Sequence, residues 1–470
     1  MSRRLYLAVV TALVGLAMIT PTAAAAPPAG VGVDRADDRG VPATVTVSPF
    51  GEVYPRLPGL TSQTNQEIAD LAQTQLDPNA DSENNPTMLS VFTYMGQFID
   101  HDLTLDTSPS PTAPVDSTTL TNNRSLKFDL DSVYGGGPAV APQLYEADGI
   151  RFRVGPNVNG VIDLPRNADG SAVLVEKRND ENQILSQIHA AWLLTHNRLV
   201  DSGLTFAQAQ RQTIQLYQRI ALEEVLPHFV GQSVVDQAVA RQRSTYLAGN
   251  PLRPMTPVEF SVASYRFGHS MVRRAYRLQP GPGGAAGANI QVFSLTLPDL
   301  RGGRPLTADR AIDWGNFVPE LSRPENAASV NISRKIDPLI SSSLFVLPIP
   351  GAEAAGSNVL AFRNMIRAKF YDMPSGQDVA NAMGLPVITP AELNLGPAFS
   401  NGTPLWYYIL AESSRASGGA TLGPVGGRLT ADVMIRILEL DRDSILNDRA
   451  APGAFRLADL FVTAGLATRP

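Results

Sequence analysis

The sequence predicts a mainly α-helical protein, a single large domain with long loops and little β structure. Three observations carry that expectation. From Met88 onward the strongest periodic signals are helical: Ile184, Ile188, Trp192, Thr195 and Leu199 recur at one-turn spacing and describe one buried face. Period-two alternation is confined to short pieces, Ala43–Val47 and Ala172–Val175. Finally, 470 residues at 44% hydrophobic and 17% charged can build a large core. That composition excludes a disordered chain, a collagen-like fibre and a highly charged nucleic-acid binder.

Taken in order, the chain opens with Arg3 and Arg4 before an apolar run from Leu5 to Thr20, followed by Ala24-Ala25-Ala26. A positive n-region, an apolar h-region and a small-residue cleavage site read as a cleaved secretory signal over 1–26; the apolar run is short for a membrane anchor, the alternative reading. Residues 27–45, rich in Pro, Ala, Gly and Asp, read as a flexible lead-in. Residues 46–470 form the domain. Helical readings cover Phe206–Val225, Val262–Tyr276, Ser357–Phe370 and Ala431–Leu440 besides the Ile184 segment. Gly/Pro-rich loops at Gln279–Ala288, Pro348–Gly356 and Ser417–Gly427 punctuate them. The expected product is secreted, with no membrane span after cleavage. The net charge of −6 and only four lysines give no basic groove, so no nucleic-acid partner is expected.

The absence of cysteine removes disulfides, thiolate-bound metals and a cysteine nucleophile. Any metal must be held by histidine, carboxylate, hydroxyl or carbonyl groups, and the chain has five histidines. His101 lies in Gly96-Gln-Phe-Ile-Asp-His-Asp102; on a helix, Gln97 and His101 share a face at i, i+4. On local spacing alone this suits either a pocket or a capped helix end with solvated acids. His269 sits at the centre of an apolar-periodic segment, whereas His189, His196 and His228 read as hydrogen-bonded core residues. Ser125, Asp129 and Asp131 cluster hard oxygen donors on an irregular stretch, a pattern that suits Ca²⁺ but also ordinary surface loops. Arg178-Asn-Asp-Glu-Asn182 opens the Ile184 helix, with Asp180 as the expected N-cap and Arg178 and Glu181 spaced to face one cavity.

Five stretches occur in order: Gly-Gln-Phe-Ile-Asp-His-Asp (96–102), Asp-Leu-Asp-Ser-Val-Tyr-Gly (129–135), Arg-Asn-Asp-Glu-Asn (178–182), His-Asn-Arg (196–198) and Arg-Phe-Gly-His (266–269). Together, over residues 50 to 445, they resemble the animal haem peroxidase superfamily, which includes myeloperoxidase, lactoperoxidase, peroxinectins and bacterial members. The resemblance implies a haem b cofactor with His269 as proximal iron ligand and Asn364 as its hydrogen-bond partner, although the sequence around Asn364 departs from the family's. It implies Arg266 and Arg367 near the haem propionates. His101 would be the distal acid–base group, Arg178 would stabilise charge as O–O breaks, and Gln97 would sit beside the distal water. Asp102, Ser125, the Lys127 carbonyl, Asp129 and Asp131 would hold Ca²⁺.

Asp100 and Glu181 match carboxylates that form ester links to haem in mammalian members. Asn182 stands where one such member has a haem-bonding Met, so no third link is expected. The implied reaction reduces H₂O₂ while oxidising halide, pseudohalide or small phenolic donors. Two other readings remain: a non-catalytic haem-binding or adhesion protein of the same fold, and a fatty-acid dioxygenase. The latter needs a tyrosine three residues before the proximal histidine, where this sequence has Arg266; Tyr265 is one place off.

Overall fold

Helix α1, Ser90–Leu103, is apolar nearly all the way round, with Val91, Phe92, Tyr94, Met95, Phe98 and Ile99 all buried. A helix of that kind needs neighbours on every side, and here it has them. The chain's computed structural model describes residues 48–79, 84–106, 114–240, 255–280, 287–294, 298–323, 330–347 and 358–470. The signal and lead-in expected over 1–45, and the Ala43–Val47 strand, lie outside the described residues. Helix α1 packs against α2 (Gln183–Asp201), and α3 (Phe206–Ile220) packs on α2. Gly96 is where α1 comes closest to its surroundings: a Cβ there would stand 2.8 Å from the Phe229 ring.

Local chemistry explains where these helices begin and end. Asn182 caps α2, its Oδ1 accepting from Leu185 N–H at 2.9 Å. Thr205 and Gln208 form a capping box at the start of α3. The latter runs on through a π-turn, Ala221–Val225, into Leu226–Val230 and stops at Gly231, whose φ of +84° closes the turn. In the C-terminal part, α5 (Leu405–Ser417) packs against both α4 (Leu360–Phe370) and α6 (Pro424–Leu440). Trp192, Trp314 and Trp406 are fully buried, and Trp314 stacks on Phe461 with centroids 3.6 Å apart.

Strands are short and peripheral. Ser48–Gly51 lies between Thr121–Asn122, antiparallel, and Thr256–Pro257, parallel. The others described are two-stranded pairs, such as Asn84–Leu89 with Ile332–Arg334. The mainly helical class is what the sequence led one to expect.

Four details differ from expectation. Ala172–Val175 forms no strand, only a single bridge from Ala172 to Arg166. The Ser417–Gly427 loop is shorter than its composition suggests, because Pro424, suited to a first helical turn, already starts α6. Asp180 does not cap α2: it turns back to pair with Arg166 at 2.8 Å, and Asn182 does the capping.

The largest departure is Val262–Tyr276, read as one helix. It is a π-turn (Glu259–Ala263), a 3₁₀ turn (Ser264–Phe267) and a four-residue α turn (Gly268–Met271), followed by the strand Ala275–Arg277. Ala263 leaves helical dihedrals at φ −123°, ψ −72°, and Arg266 Nε donates back to Ser261 O at 2.7 Å. The buried Glu259 carboxylate is tied to Val53 N–H and Tyr54 N–H, so the turn is set by tertiary contacts rather than by propensity. This irregular segment packs on α4, α5 and α6, and its last turn touches α1. His269 and His101 are thereby carried to the same region.

Candidate active site

A cavity of about 600 Å³ lies where α1, the 177–180 turn, the Glu259–Met271 segment and α4 converge. That volume is typical of a small-ligand or cofactor site. Gln97, Asp100, His101, Arg178 and Glu181 line it from one set of elements, and Arg266, His269, Asn364 and Arg367 from another.

On the His101 side, α1 places Gln97 and His101 one turn apart, and both reach the cavity. His101 Nδ1 is 2.8 Å from Asn179 Oδ1, which leaves Nε2 for the cavity. Burial holds the imidazole neutral and pushes its pKa down to about 3; Arg178 and Arg124 add to the effect, while Glu176 and Asn179 oppose it. Arg178 is anchored along one edge. Its Nε and Nη2 donate to Glu176 at 3.0 and 2.9 Å, and Nη2 also reaches Thr104 O at 2.6 Å. Nη1 has no hydrogen bond to a described residue. Although burial favours the neutral acid, Arg178 and Arg124 together hold the Glu176 carboxyl well below the usual range. Arg124 in turn bonds Glu176 and, through Nε, the His101 carbonyl at 2.9 Å. Glu181 accepts from Gln97 Nε2 at 2.8 Å and is pushed up to about 7 by burial. Asp100 accepts from Thr104 Oγ1 at 3.0 Å and is raised by burial against the pull of Arg266 and Arg178.

On the His269 side the partners are fewer. Asn364 Nδ2 lies 2.9 Å from His269 Nδ1, and the other ring nitrogen carries no hydrogen bond to a described residue. Burial, then Arg266, pushes the imidazole down to about 3. Burial and the neighbouring Arg367 bring Arg266 down to about 10. Neither arginine forms an ion pair with a described carboxylate.

The oxygen donors gather behind His101. Carboxylate oxygens of Asp102, Asp129 and Asp131, all buried, lie within 4.8 Å of one another. Asp102 accepts from Leu130 N–H at 3.1 Å and Ser132 Oγ at 2.8 Å; Ser125 Oγ donates to Asp129 at 2.8 Å. Burial and mutual repulsion push Asp102 up to about 7 and Asp131 well up too, despite Arg124 at 3.6 Å from Asp131. Between them Leu130 is held at φ +56°, a left-handed conformation that costs a branched residue about 1 kcal/mol. Lys127 lies in the same loop with its ammonium 3.6 Å from Asp441.

The remaining histidines are hydrogen-bonded inside the fold: His189 to Asn179, His196 to Tyr134 and Ile150 O, His228 to Glu224 O. Sequence reasoning missed Glu176, Arg124 and Asn179. The first two carried no motif signal; Asn179 lay within Arg178–Asn182 and its type, an amide beside a candidate site arginine, was the available hint.

Residues 107–292 match the animal haem peroxidase family, a span that includes Ser125–Asp131, Arg178, Glu181 and His269 and begins after His101. That span, about two fifths of the chain, is similar to the animal haem peroxidase family. Among curated relatives it is 29% identical over 171 residues to a chorion peroxidase of Aedes aegypti (32% of this chain, 22% of that one). It is 31% identical over 138 residues to a peroxidase-like protein of Margaritifera margaritifera (26% and 16%). The matches therefore span about a fifth of those relatives' length. Peroxidase A of Dictyostelium discoideum superposes with a TM-score of 0.68 at 17% identity, over 91% of this chain and 95% of that one. A fatty acid alpha-dioxygenase of Oryza sativa gives 0.56 at 13%, over 87% and 77%. At such identities these two neighbours speak for the peroxidase-superfamily fold alone.

Proposed function

We propose that this protein is a secreted haem-dependent peroxidase that reduces H₂O₂ and oxidises halide, pseudohalide or small phenolic donors. The observation that carries the reading is one cavity lined both by His101 with Arg178 and by His269 with Asn364. The cavity residues fit a haem: a histidine nitrogen free for iron, and two guanidiniums, Arg266 and Arg367, whose mutual repulsion carboxylates such as propionates would relieve. Ligation requires His269 Nε2 to be unprotonated, with Nδ1–H donating to Asn364; the amide must then present Oδ1, half a turn from the orientation in which Nδ2 faces the ring. When bound, haem would supply the redox chemistry of peroxide cleavage and donor oxidation.

The chain's own groups would do the rest. Neutral His101 takes a proton from one peroxide oxygen through Nε2 and returns it to the other, which leaves as water. Arg178, fixed by Glu176 and Thr104, directs its guanidinium at the negative charge that develops as the bond breaks. Gln97, held by Glu181 and Asn182, orients water or a small donor beside them. Asp100 and Glu181, whose carboxyls burial raises, would become ester links to the cofactor. Asp102, Asp129 and Asp131 with Ser125 and the Lys127 carbonyl would hold Ca²⁺, which relieves the repulsion that three buried acids otherwise suffer. A peroxide-dependent guaiacol and halide assay on the haem-loaded chain tests the reading; absence of any peroxide-dependent oxidation refutes it.

Tyr265 favours a second reading. It is buried, lines the cavity, and its hydroxyl has no hydrogen-bond partner among the described residues. If it carried fatty-acid dioxygenation, haem-loaded protein would take up O₂ with a long-chain fatty acid, and Tyr265→Phe would abolish that uptake.

A further inference from the structure

Asn179, itself fully buried, follows Arg178 in the 177–180 turn. Its two amide ends are spent on two different histidines. Oδ1 meets His101 Nδ1 at 2.8 Å, and Nδ2 meets His189 Nδ1 at 3.0 Å. All three side chains are buried, and His189 packs edge-on against Phe98 of α1. An amide is not symmetric: one end only accepts and the other only donates. In this orientation His101 must carry its proton on Nδ1 and His189 must leave its own Nδ1 bare. Turning the amide over would reverse both tautomers at once, so the two rings and the amide form a single three-part setting.

We propose that Asn179 is the positioning residue of His101: it fixes the Nδ1–H tautomer, leaving the Nε2 lone pair in the cavity, and His189 fixes Asn179. The use of this lone pair rests on the peroxidase reading; the tautomer itself does not. With the opposite tautomer, Nε2 would present a proton to the cavity and could not begin by accepting one from peroxide. His189, a core histidine by sequence, thus acts at one remove.

The test reads the tautomer directly. Full-length chain with ¹⁵N-labelled histidine is examined by NMR as purified and again haem-loaded in its diamagnetic ferrous carbonyl form, with His101→Gln identifying the signal. Wild type should show His101 protonated at Nδ1 and bare at Nε2. Asn179→Leu should turn this into a mixture of tautomers and slow the reaction of the haem-loaded chain with H₂O₂ by about 10- to 100-fold, the size of effect typical when a partner that orients an active-site imidazole is lost. Asn179→Asp, which retains an acceptor toward His101, should restore the Nδ1–H form and most of the rate. A wild-type His101 protonated at Nε2 overturns the proposal, and so does an unchanged tautomer in Asn179→Leu. The wild-type spectrum decides even if that variant does not fold, and His189→Phe, which removes only the outer partner, gives a second loosening of the same signal. Should the predicted tautomer be found in a chain that binds haem yet never reacts with peroxide, the peroxidase reading falls and the assignment of Asn179 stands.

Discussion

The two sides of the cavity are built differently. Around His101 every charged group has a partner: Arg178 and Arg124 share Glu176, both reach the His101 carbonyl, and Asn179 holds the ring. Around His269 there is one amide contact, a bare ring nitrogen and two arginines without a described carboxylate. A preorganised network costs no rearrangement when a small neutral substrate arrives, which is what peroxide chemistry asks of the first side. An undercompensated set of cations beside a free ligand nitrogen is finished only by something brought from outside. The difference fits the proposed reading, in which the His269 side would be a cofactor seat and the His101 side a reaction surface.

The largest effect that can break this contrast is loss of the seat. His269→Ala should abolish stable haem ligation, because no other histidine has a free nitrogen in the cavity beside the two arginines. A ferric haem spectrum unchanged in that variant ends the assignment. On the reaction side, His101→Ala and Arg178→Ala should each keep haem but slow its reaction with H₂O₂ by about 10²- to 10⁴-fold, the range for losing an acid–base group or a charge-stabilising donor. Stopped-flow rates near wild type in either variant would show that the network serves structure only.

Much of this division was legible in the sequence, and the illegible part has a physical cause. Gln97 and His101 one turn apart, Arg178 near Glu181, and the run 125–131 all carried local spacing that folding preserved. The Arg124–Glu176 bridge joins positions 52 apart and exists only because both are buried together. The 259–271 segment has helical periodicity, yet Glu259 and Arg266 draw it into successive tighter and wider turns through contacts with residues 53, 54 and 261. Periodicity reports which face is apolar; it does not report a backbone pulled out of register by a buried carboxylate.

The proposed calcium seat sharpens the comparison, since Asp102 follows His101 directly and would link it to the ion. Asp129→Asn or Asp131→Asn should weaken the ion and loosen the end of α1. At a Ca²⁺ concentration a hundredfold above its Kd the ion contributes about 2.7 kcal/mol, so exhaustive chelation should lower Tm measurably and slow the peroxide reaction. If no calcium copurifies and chelation changes neither, the three acids are held some other way. A smaller chemical effect concerns Asp100 and Glu181. After turnover with dilute H₂O₂, acidified organic solvent should extract less haem from wild type than from Asp100→Asn combined with Glu181→Gln. Complete extraction from treated wild type removes the ester links and leaves the rest of the reading intact.

The smallest effect is in the pH dependence of stability, where lowered and raised carboxyls act in opposite directions. Glu176, on the His101 side, is held charged by two guanidiniums, so its folded pKa lies below the unfolded one. The stability it contributes is present above its unfolded value of 4.5 and is lost as pH falls through the folded value. Glu259, which opens the segment leading to His269, and Glu412 on α5, which accepts from Val425 and Gly426 N–H at the start of α6, are both pushed up from 4.5 to about 7 by burial. For them the native state binds the extra proton. Their contribution is complete below 4.5 and declines as pH rises toward 7, by on the order of 1–3 kcal/mol per group. Thermal unfolding of the wild-type chain should therefore show Tm falling between about pH 5 and 8. Glu259→Gln combined with Glu412→Gln keeps an oxygen acceptor for the backbone donors but removes their share of the titration, and should reduce that slope, Glu181 and Asp102 supplying the rest, without altering the drop at acid pH. A slope as steep in the double variant as in wild type would mean that these two carboxyls are ionised in the fold.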